Sequence, residues 1–208
     1  MGSSRPPEPG EDLSLISRLR AALAARERHA LEAPAGTRRA AVLVAILARP
    51  AGPSVVFTRR QAALRDHAGE VSFPGGKFEP GETDPVAAAL REATEELGID
   101  LAQADILGLL DDMFTITRYT VTPVVALLDP PPDHYQPDAT EVAEVFEVAL
   151  ARLADPAIFS ILGEVVRDGE PRQILAYRPS GEDGPLIWGA TARMVQQFLD
   201  VATAALAR

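Results

Sequence analysis

The sequence predicts a single layered domain of the α+β or α/β class over residues 11–208, preceded by a disordered tail over residues 1–10. Strand-like apolar runs alternate with amphipathic helical segments, and neither an internal repeat nor an inter-domain linker interrupts them. The tail is assigned because residues 1–10 are rich in Pro, Gly and Ser. A chain of 208 residues is long enough to bury a sizeable core.

The first elements of the domain follow from periodicity and turn residues. Apolar residues at helical spacing predict a helix over residues 11–30. Two apolar runs, at 40–48 and 54–60, predict strands, and the Pro- and Gly-containing turn between them predicts a hairpin.

Further strands and a last helix are predicted in the second half. Residues 104–129 contain β-branched runs, of which 121–128 is the clearest strand, and the Pro-rich residues 130–140 predict an exposed loop. Residues 141–150 fit either a strand or a helix. Residues 172–191 predict a hairpin that leads into a final helix over residues 191–207.

A helix between these halves has both of its ends marked. Asp84 and Pro85 are favourable at a helix start, and Gly98 is favourable just after a helix end. One side of the intervening helix is apolar. The opposite side carries carboxylates at i, i+3 and i+4, on Glu92, Glu95 and Glu96.

Three carboxylates on one helix face are most often a solvated surface, but their spacing and place argue for a bound cation. Like charges at i and i+4 destabilise a helix, and the helix dipole disfavours negative charge near its C-terminus. Mg²⁺ or Mn²⁺ would relieve both effects, because hard cations prefer carboxylate oxygens. Arg91 can pair with Glu95 or with Glu82, and such a pair would orient a carboxylate.

Composition and charge exclude several function classes. The net charge of −10 argues against broad binding to nucleic acid or to an anionic membrane surface. The absence of cysteine excludes disulfides, thiol catalysis and cysteine-ligated zinc. The N-terminus lacks the apolar core of a secretory signal, and no run is long enough to span a membrane. We therefore expect a cytoplasmic protein without nucleic-acid or membrane partners.

The segment GGKFEPGE…REATEELGI resembles the Nudix box of hydrolases that act on nucleoside-diphosphate-linked substrates. The matching residues are Gly76, Glu82, Arg91, Glu92, Ala93, Glu95, Glu96, Gly98 and Ile99. One departure is that eight residues, not seven, separate Glu82 from Arg91, which leaves the role of Glu82 open. The resemblance implies an α/β/α sandwich with a mixed β-sheet, in which the box forms a loop, a helix and a loop; we expect additional helices at both ends of the chain.

The resemblance also implies the chemistry, which is attack of water on a phosphorus atom of a pyrophosphate with the help of Mg²⁺ or Mn²⁺. Glu92 and Glu96 are the expected metal ligands and Glu95 the third, with a carbonyl oxygen of Gly75 or Gly76 as a further ligand. A carboxylate left free of metal could take the proton of the water. The expected catalytic residues are Glu82, Arg91, Glu95 and Glu96.

The flanking segments resemble the coenzyme A pyrophosphatase branch of the family. The matches before the box are Thr58, Arg60, Arg65, Gly69, Phe73, Pro74, Gly75 and Gly76, and residues 186–194 resemble a C-terminal segment of the branch. The branch also tends to carry the extra residue inside the box. The expected substrate is therefore coenzyme A or an acyl-CoA. ADP-ribose, NADH or a nucleoside triphosphate is the alternative, and a homodimer is a possibility that no motif decides.

The densest basic segment of this acidic chain lies around the start of the box. Substrate phosphates are expected to bind to it, because guanidinium groups suit phosphate oxygens; solvated or acid-paired side chains are the alternative. The residues are Arg59, Arg60, Arg65, His67 and Lys77.

Five further residues are assigned mainly to packing or to the surface. We expect Trp188 in the core, with stacking on adenine as the alternative. Phe73 and Pro74 are expected to pack the loop. Glu141 and Glu144 are expected at the surface, with a general base or an extra metal ligand as the alternative.

Overall fold

The computed structural model describes residues 9–34, 36–64, 67–167 and 169–206. Within these ranges the chain forms four α-helices and eleven β-strands. In chain order they are α1 (Pro9–Ala25), β1 (Arg38–Leu47), β2 (Ser54–Arg60), β3 (Val71–Ser72), β4 (Gly75–Lys77), α2 (Pro85–Leu97), β5 (Asp105–Leu109), β6 (Met113–Phe114), β7 (Tyr119–Leu128), β8 (Val142–Ala149), α3 (Leu150–Leu153), β9 (Phe159–Arg167), β10 (Glu170–Tyr177), β11 (Ile187–Trp188) and α4 (Gly189–Leu206).

Strand β1 is the centre of the main sheet, because its residues are apolar on both faces. Val42 and Val44 belong to one core cluster, whereas Leu43 and Ala45 belong to the other, as the two-residue period of a strand requires. β1 runs parallel to β7 and antiparallel to β2 and β4. The main sheet is therefore mixed.

Helices cover both faces of this sheet. α2 packs on one face against β1, β4 and β7, while α1 and α4 pack together on the other face. Leu19 and Leu23 of α1 and Phe198 of α4 are buried in the same cluster. The predicted α/β/α sandwich with additional terminal helices is confirmed. No helix in the described ranges is long and apolar enough to cross a membrane.

The N-terminal helix is shorter than predicted. It ends at Ala25 rather than near residue 30, because the chain that follows pairs with the β5–β6 segment. The guanidinium groups of Arg26 and Arg28 bind Asp111 and Asp112, respectively. Of the predicted disordered tail, residues 1–8 lie outside the described ranges, and the helix already begins at Pro9.

The hairpin predictions hold, and the structure adds the short strands β3 and β4 and the longer strand β9. β1 and β2 form the predicted antiparallel pair, and β10 pairs with β11 before α4. Residues 141–150, which fitted either state, form β8 almost throughout. β9 is not predicted by the sequence; it joins β10 and β11 in a second, three-stranded sheet.

The predicted loop over residues 130–140 is anchored at its middle to the end of α2. The backbone N–H of Gln136 donates to the carbonyl of Leu97 at 2.9 Å. Gly98, at φ 62°, ends the helix, and a Cβ there would lie 1.9 Å from the Gln136 carbonyl oxygen. Tyr135 in the same loop is partly buried, so the prediction of a fully exposed loop is wrong at this point.

We expect Gly98→Ala to lower the free energy of unfolding by about 3 kcal/mol, because left-handed strain adds to a backbone clash. Gly81→Ala is the matched control: it has a φ of 89° but open space around its Cβ position. It should cost only about 1 kcal/mol. Urea unfolding of both variants measures the difference, and equal losses would contradict the clash.

Candidate active site

The carboxylate of Glu96 is buried at the junction of α2 and β4. Only 6% of the residue is exposed, and its Oε2 accepts a hydrogen bond from the backbone N–H of Gly75 at 3.1 Å. An Nη atom of Arg60 lies 3.8 Å from Oε1. Burial raises the pKa of Glu96 to about 7, the neighbouring acids Glu92 and Glu141 add to the rise, and the Gly75 N–H and Arg60 oppose it.

The burial of Glu96 corrects the prediction of one outward-facing row of carboxylates. Glu96 follows the buried Ala93 by three positions and Ala89 by seven, so it borders the buried stripe of the helix. Because alanine side chains are small, α2 can lie close to the sheet at this point, and the Glu96 carboxylate reaches the backbone of β4.

The carboxylate of Glu92 lies against the backbone of β4. A Cβ on Gly76 would lie 2.3 Å from its Oε2, so this close approach needs a glycine. Its Oε1 accepts a hydrogen bond from Arg91 at 3.0 Å. Burial raises the pKa of Glu92, and the charges of Glu95 and Glu141 add to the rise, whereas Arg91 lowers it.

Arg91 joins the loop before α2 to the carboxylates on the helix. One Nη donates to the Lys77 carbonyl at 2.9 Å and to Glu82 at 3.1 Å, while the other donates to Glu92. Glu82 also accepts the N–H of Glu79 at 2.9 Å, and both partners lower its pKa, Arg91 more strongly. The eight-residue spacing between Glu82 and Arg91 therefore still allows them to pair, as predicted.

Glu95 differs from its two neighbours. Its side chain is 64% exposed and lies 3.8 Å from an Nη of Arg91. Within the ranges that the structure covers, no three Asp, Glu or His side chains are close enough together to form a metal site. The donors nevertheless fit a hard divalent cation, because Glu92 and Glu96 offer carboxylate oxygens whose pKa is raised by burial and, in addition, by the charges of neighbouring acids.

The basic residues predicted to bind phosphate do not form one cluster among the described residues; they have different partners and different exposure. Arg60 reaches the carboxylates, and its Nε is buried without a hydrogen-bond partner in the described part of the chain. Arg59 pairs with Glu144 at 2.9 Å, and His67 with Glu70 at 2.7 Å, which is the acid-paired alternative. Lys77 is exposed. Arg65 lies outside the described ranges.

The aromatic predictions have mixed outcomes. Phe73 and Pro74 are buried, and the Phe73 ring stacks on Phe57 with centroids 4.8 Å apart, so the packing role is confirmed. The core assignment of Trp188 is wrong, because this residue is 38% exposed. It ends the edge strand β11, where the preceding Ile187 is the residue that enters the core.

The two acids after the loop lie near the surface, as predicted. Glu141 is exposed, and its charge acts on both Glu92 and Glu96, so it lies near both carboxylates. Glu144 is half-exposed in its pair with Arg59. Glu141 is the better candidate for a general base from outside the box.

Comparisons with known proteins agree with this geometry. A family model described as NUDIX domain matches residues 37–168. A protein named uncharacterized Nudix hydrolase NudL from Photorhabdus laumondii is 39% identical over 161 residues, 77% of this chain and 83% of that protein. Its namesake from Escherichia fergusonii is 37% identical over 161 residues, 77% of this chain and 81% of that protein.

Similar solved structures include a Nudix hydrolase from M. smegmatis, RenU, at 27% identity with a TM-score of 0.48, covering 57% of this chain and 74% of that one. The chain belongs to the Nudix family. It is a Nudix hydrolase, and its activity is hydrolysis of a pyrophosphate-containing substrate. Enzymes of this class generally require a divalent metal such as Mg²⁺ or Mn²⁺ and bind small nucleotide-derived substrates.

We expect Mn²⁺ to raise the thermal midpoint of the protein, because an ion at one hundred times its Kd stabilises the folded state by about 2.7 kcal/mol. Glu96→Gln should weaken apparent Mn²⁺ affinity at least about tenfold, since it removes a charged ligand. Glu79→Gln, at an exposed acid of the preceding loop, should keep the full shift. Thermal scans over a Mn²⁺ titration measure this; an unchanged shift in Glu96→Gln would contradict the assignment.

Proposed function

We propose that the protein hydrolyses the pyrophosphate of coenzyme A or an acyl-CoA, with 3′,5′-ADP and 4′-phosphopantetheine or its acyl form as products. The observation that carries this proposal is the position of Arg60, whose guanidinium lies 3.8 Å from the buried Glu96 carboxylate. Arg60 belongs to the segment over residues 57–76 that resembles the coenzyme A pyrophosphatase branch. Its position supports a role for this segment beside the reacting phosphates.

The metal is assigned to the carboxylates of α2. Mg²⁺ or Mn²⁺, held by Glu92 and Glu96 with Glu95 as third ligand, would supply Lewis-acid stabilisation of the charge on the phosphoryl oxygens. Arg91, fixed by Glu82, holds the Glu92 carboxylate in place.

The remaining groups handle the phosphates and the proton. Arg60 donates to a substrate phosphate oxygen, because its side chain is 29% exposed beside the Glu96 carboxylate. The oxygen of water forms a bond to one phosphorus, and the bond from that phosphorus to the bridging oxygen breaks. A carboxylate free of metal takes the proton of the water; Glu141 is the first candidate, and the exposed Glu95 takes this role if Glu92 and Glu96 alone hold the metal. Arg59, Arg65, His67 and Lys77 are proposed to contact the other phosphates.

We expect purified protein with Mg²⁺ or Mn²⁺ to convert coenzyme A into 3′,5′-ADP, with kcat/KM at least about tenfold above that for ADP-ribose or NADH, a difference of about 1.4 kcal/mol in transition-state binding. Ion-pair chromatography of the products measures both rates. If no 3′,5′-ADP forms while ADP-ribose or NADH is cleaved, the alternative substrate class is correct.

We expect Glu96→Gln to lower kcat by about 10³-fold, because a neutral amide binds the metal that stabilises the transition state more weakly than a carboxylate and holds it less precisely. Glu79→Gln should keep activity within about twofold, as is usual for an exposed site. Circular dichroism checks that both variants are folded. A Glu96→Gln variant with wild-type turnover would show that this carboxylate has no catalytic role.

A further inference from the structure

A cleft of about 400 Å³ lies beside the exposed ring of Trp188, between two loops. One loop contributes Gly69 and Glu70, and the other contributes Pro185 and Leu186 ahead of Trp188. Arg59, at the end of β2, also lines it. We call this space the Trp188 cleft.

The Trp188 cleft lies on the opposite side of β2 from the Glu96 carboxylate. Successive side chains of a strand point to opposite faces, and the consecutive residues Arg59 and Arg60 follow this rule. Arg60 lies 3.8 Å from Glu96, whereas Arg59 lines the cleft. Their Cα atoms are about 3.8 Å apart. Because β2 ends at Arg60, a ligand that passes around this end of the strand can contact both sites.

The lining of the cleft suits a ligand that combines a flat heteroaromatic ring with a nearby phosphate group, as a nucleotide does. Trp188 is 38% exposed as a whole residue. A large aromatic side chain left open beside apolar walls is a surface on which a base can stack. Pro185 and Leu186 provide those walls. The Arg59 guanidinium is a fork for phosphate oxygens, and the Glu70 carboxylate can accept from an exocyclic amino group.

The ion pair between Arg59 and Glu144 does not prevent phosphate binding. The two side chains are 46% and 43% exposed, respectively, and an exposed pair of this kind contributes little to stability. The guanidinium has five N–H donors, so it can bind a phosphate dianion while it keeps or exchanges this contact.

We propose that the Trp188 cleft binds the adenine ring of the substrate by stacking and that Arg59 binds the 3′-phosphate of its ribose. This inference rests on the proposed function for the identity of the whole substrate. The binding of adenine to the cleft can be tested apart from hydrolysis, because 3′,5′-ADP and 5′-AMP contain no pyrophosphate to be cleaved.

Trp188 is the one tryptophan of the chain, so selectively excited tryptophan fluorescence reports on this cleft alone. We expect 3′,5′-ADP to quench that fluorescence in a saturable way and 5′-AMP to do so with at least fivefold weaker affinity. Arg59→Gln should weaken 3′,5′-ADP binding at least tenfold and 5′-AMP binding less than twofold. Arg172→Gln, at an exposed arginine on β10, is the control and should change neither.

Steady-state kinetics supply the second measurement. Trp188→Ala should raise KM for coenzyme A at least tenfold with kcat within twofold, and Trp188→Phe should restore most of the KM, because a smaller aromatic ring can still stack. Quenching by 3′,5′-ADP supports the cleft assignment even if coenzyme A is not hydrolysed. The cleft assignment is overturned, even if coenzyme A is hydrolysed, if 3′,5′-ADP does not quench the fluorescence. It is also overturned if Arg59→Gln weakens the binding of 3′,5′-ADP and of 5′-AMP equally.

Discussion

The hydrogen bond from the Gly75 backbone to the buried Glu96 carboxylate joins the acidic helix to the centre of the sheet. β4 can pair this closely with β1 because Gly75 has no Cβ; a Cβ there would come within 2.4 Å of the Ala41 carbonyl oxygen. The helix, the glycine strand and the central strand therefore form one unit. Any movement of β4 would leave a carboxylate buried without its donor, which is costly in an apolar interior.

That buried carboxylate sets the electrostatics of the whole site. Burial raises the pKa of Glu92 and of Glu96, and the charge of Glu141 adds to both rises; among the described side chains Arg91 opposes the rise at Glu92 and Arg60 opposes it at Glu96. Arg91 is already engaged with Glu82 and the Lys77 carbonyl, so it can compensate only part of the charge. A divalent cation is the natural complement of this arrangement, since carboxylate oxygens are its preferred ligands.

The sequence could predict what depends on neighbouring residues. The ends of α2 at Asp84 and Gly98 and the strands β1 and β2 follow from caps and from apolar runs bounded by turns. The burial of Glu96, the exposure of Trp188 and the strand β9 depend on how distant segments pack, so local patterns did not reveal them. The charge pattern directed attention to α2, but only the structure separates the buried Glu96 from the exposed Glu95.

Because side chains alternate along β2, its two faces can contact different parts of one substrate. Thr58 and Arg60 lie on the face of α2, whereas Arg59 points to the cleft formed with Trp188. The two faces are contacted by different loops: the box loop and α2 on one side, and residues 184–188 on the other. Substitutions in residues 184–188 can therefore alter which group is held beside Arg59 without displacing Glu92 or Glu96. In the proposed assignment, chemistry and substrate selection thus lie on opposite sides of a single strand.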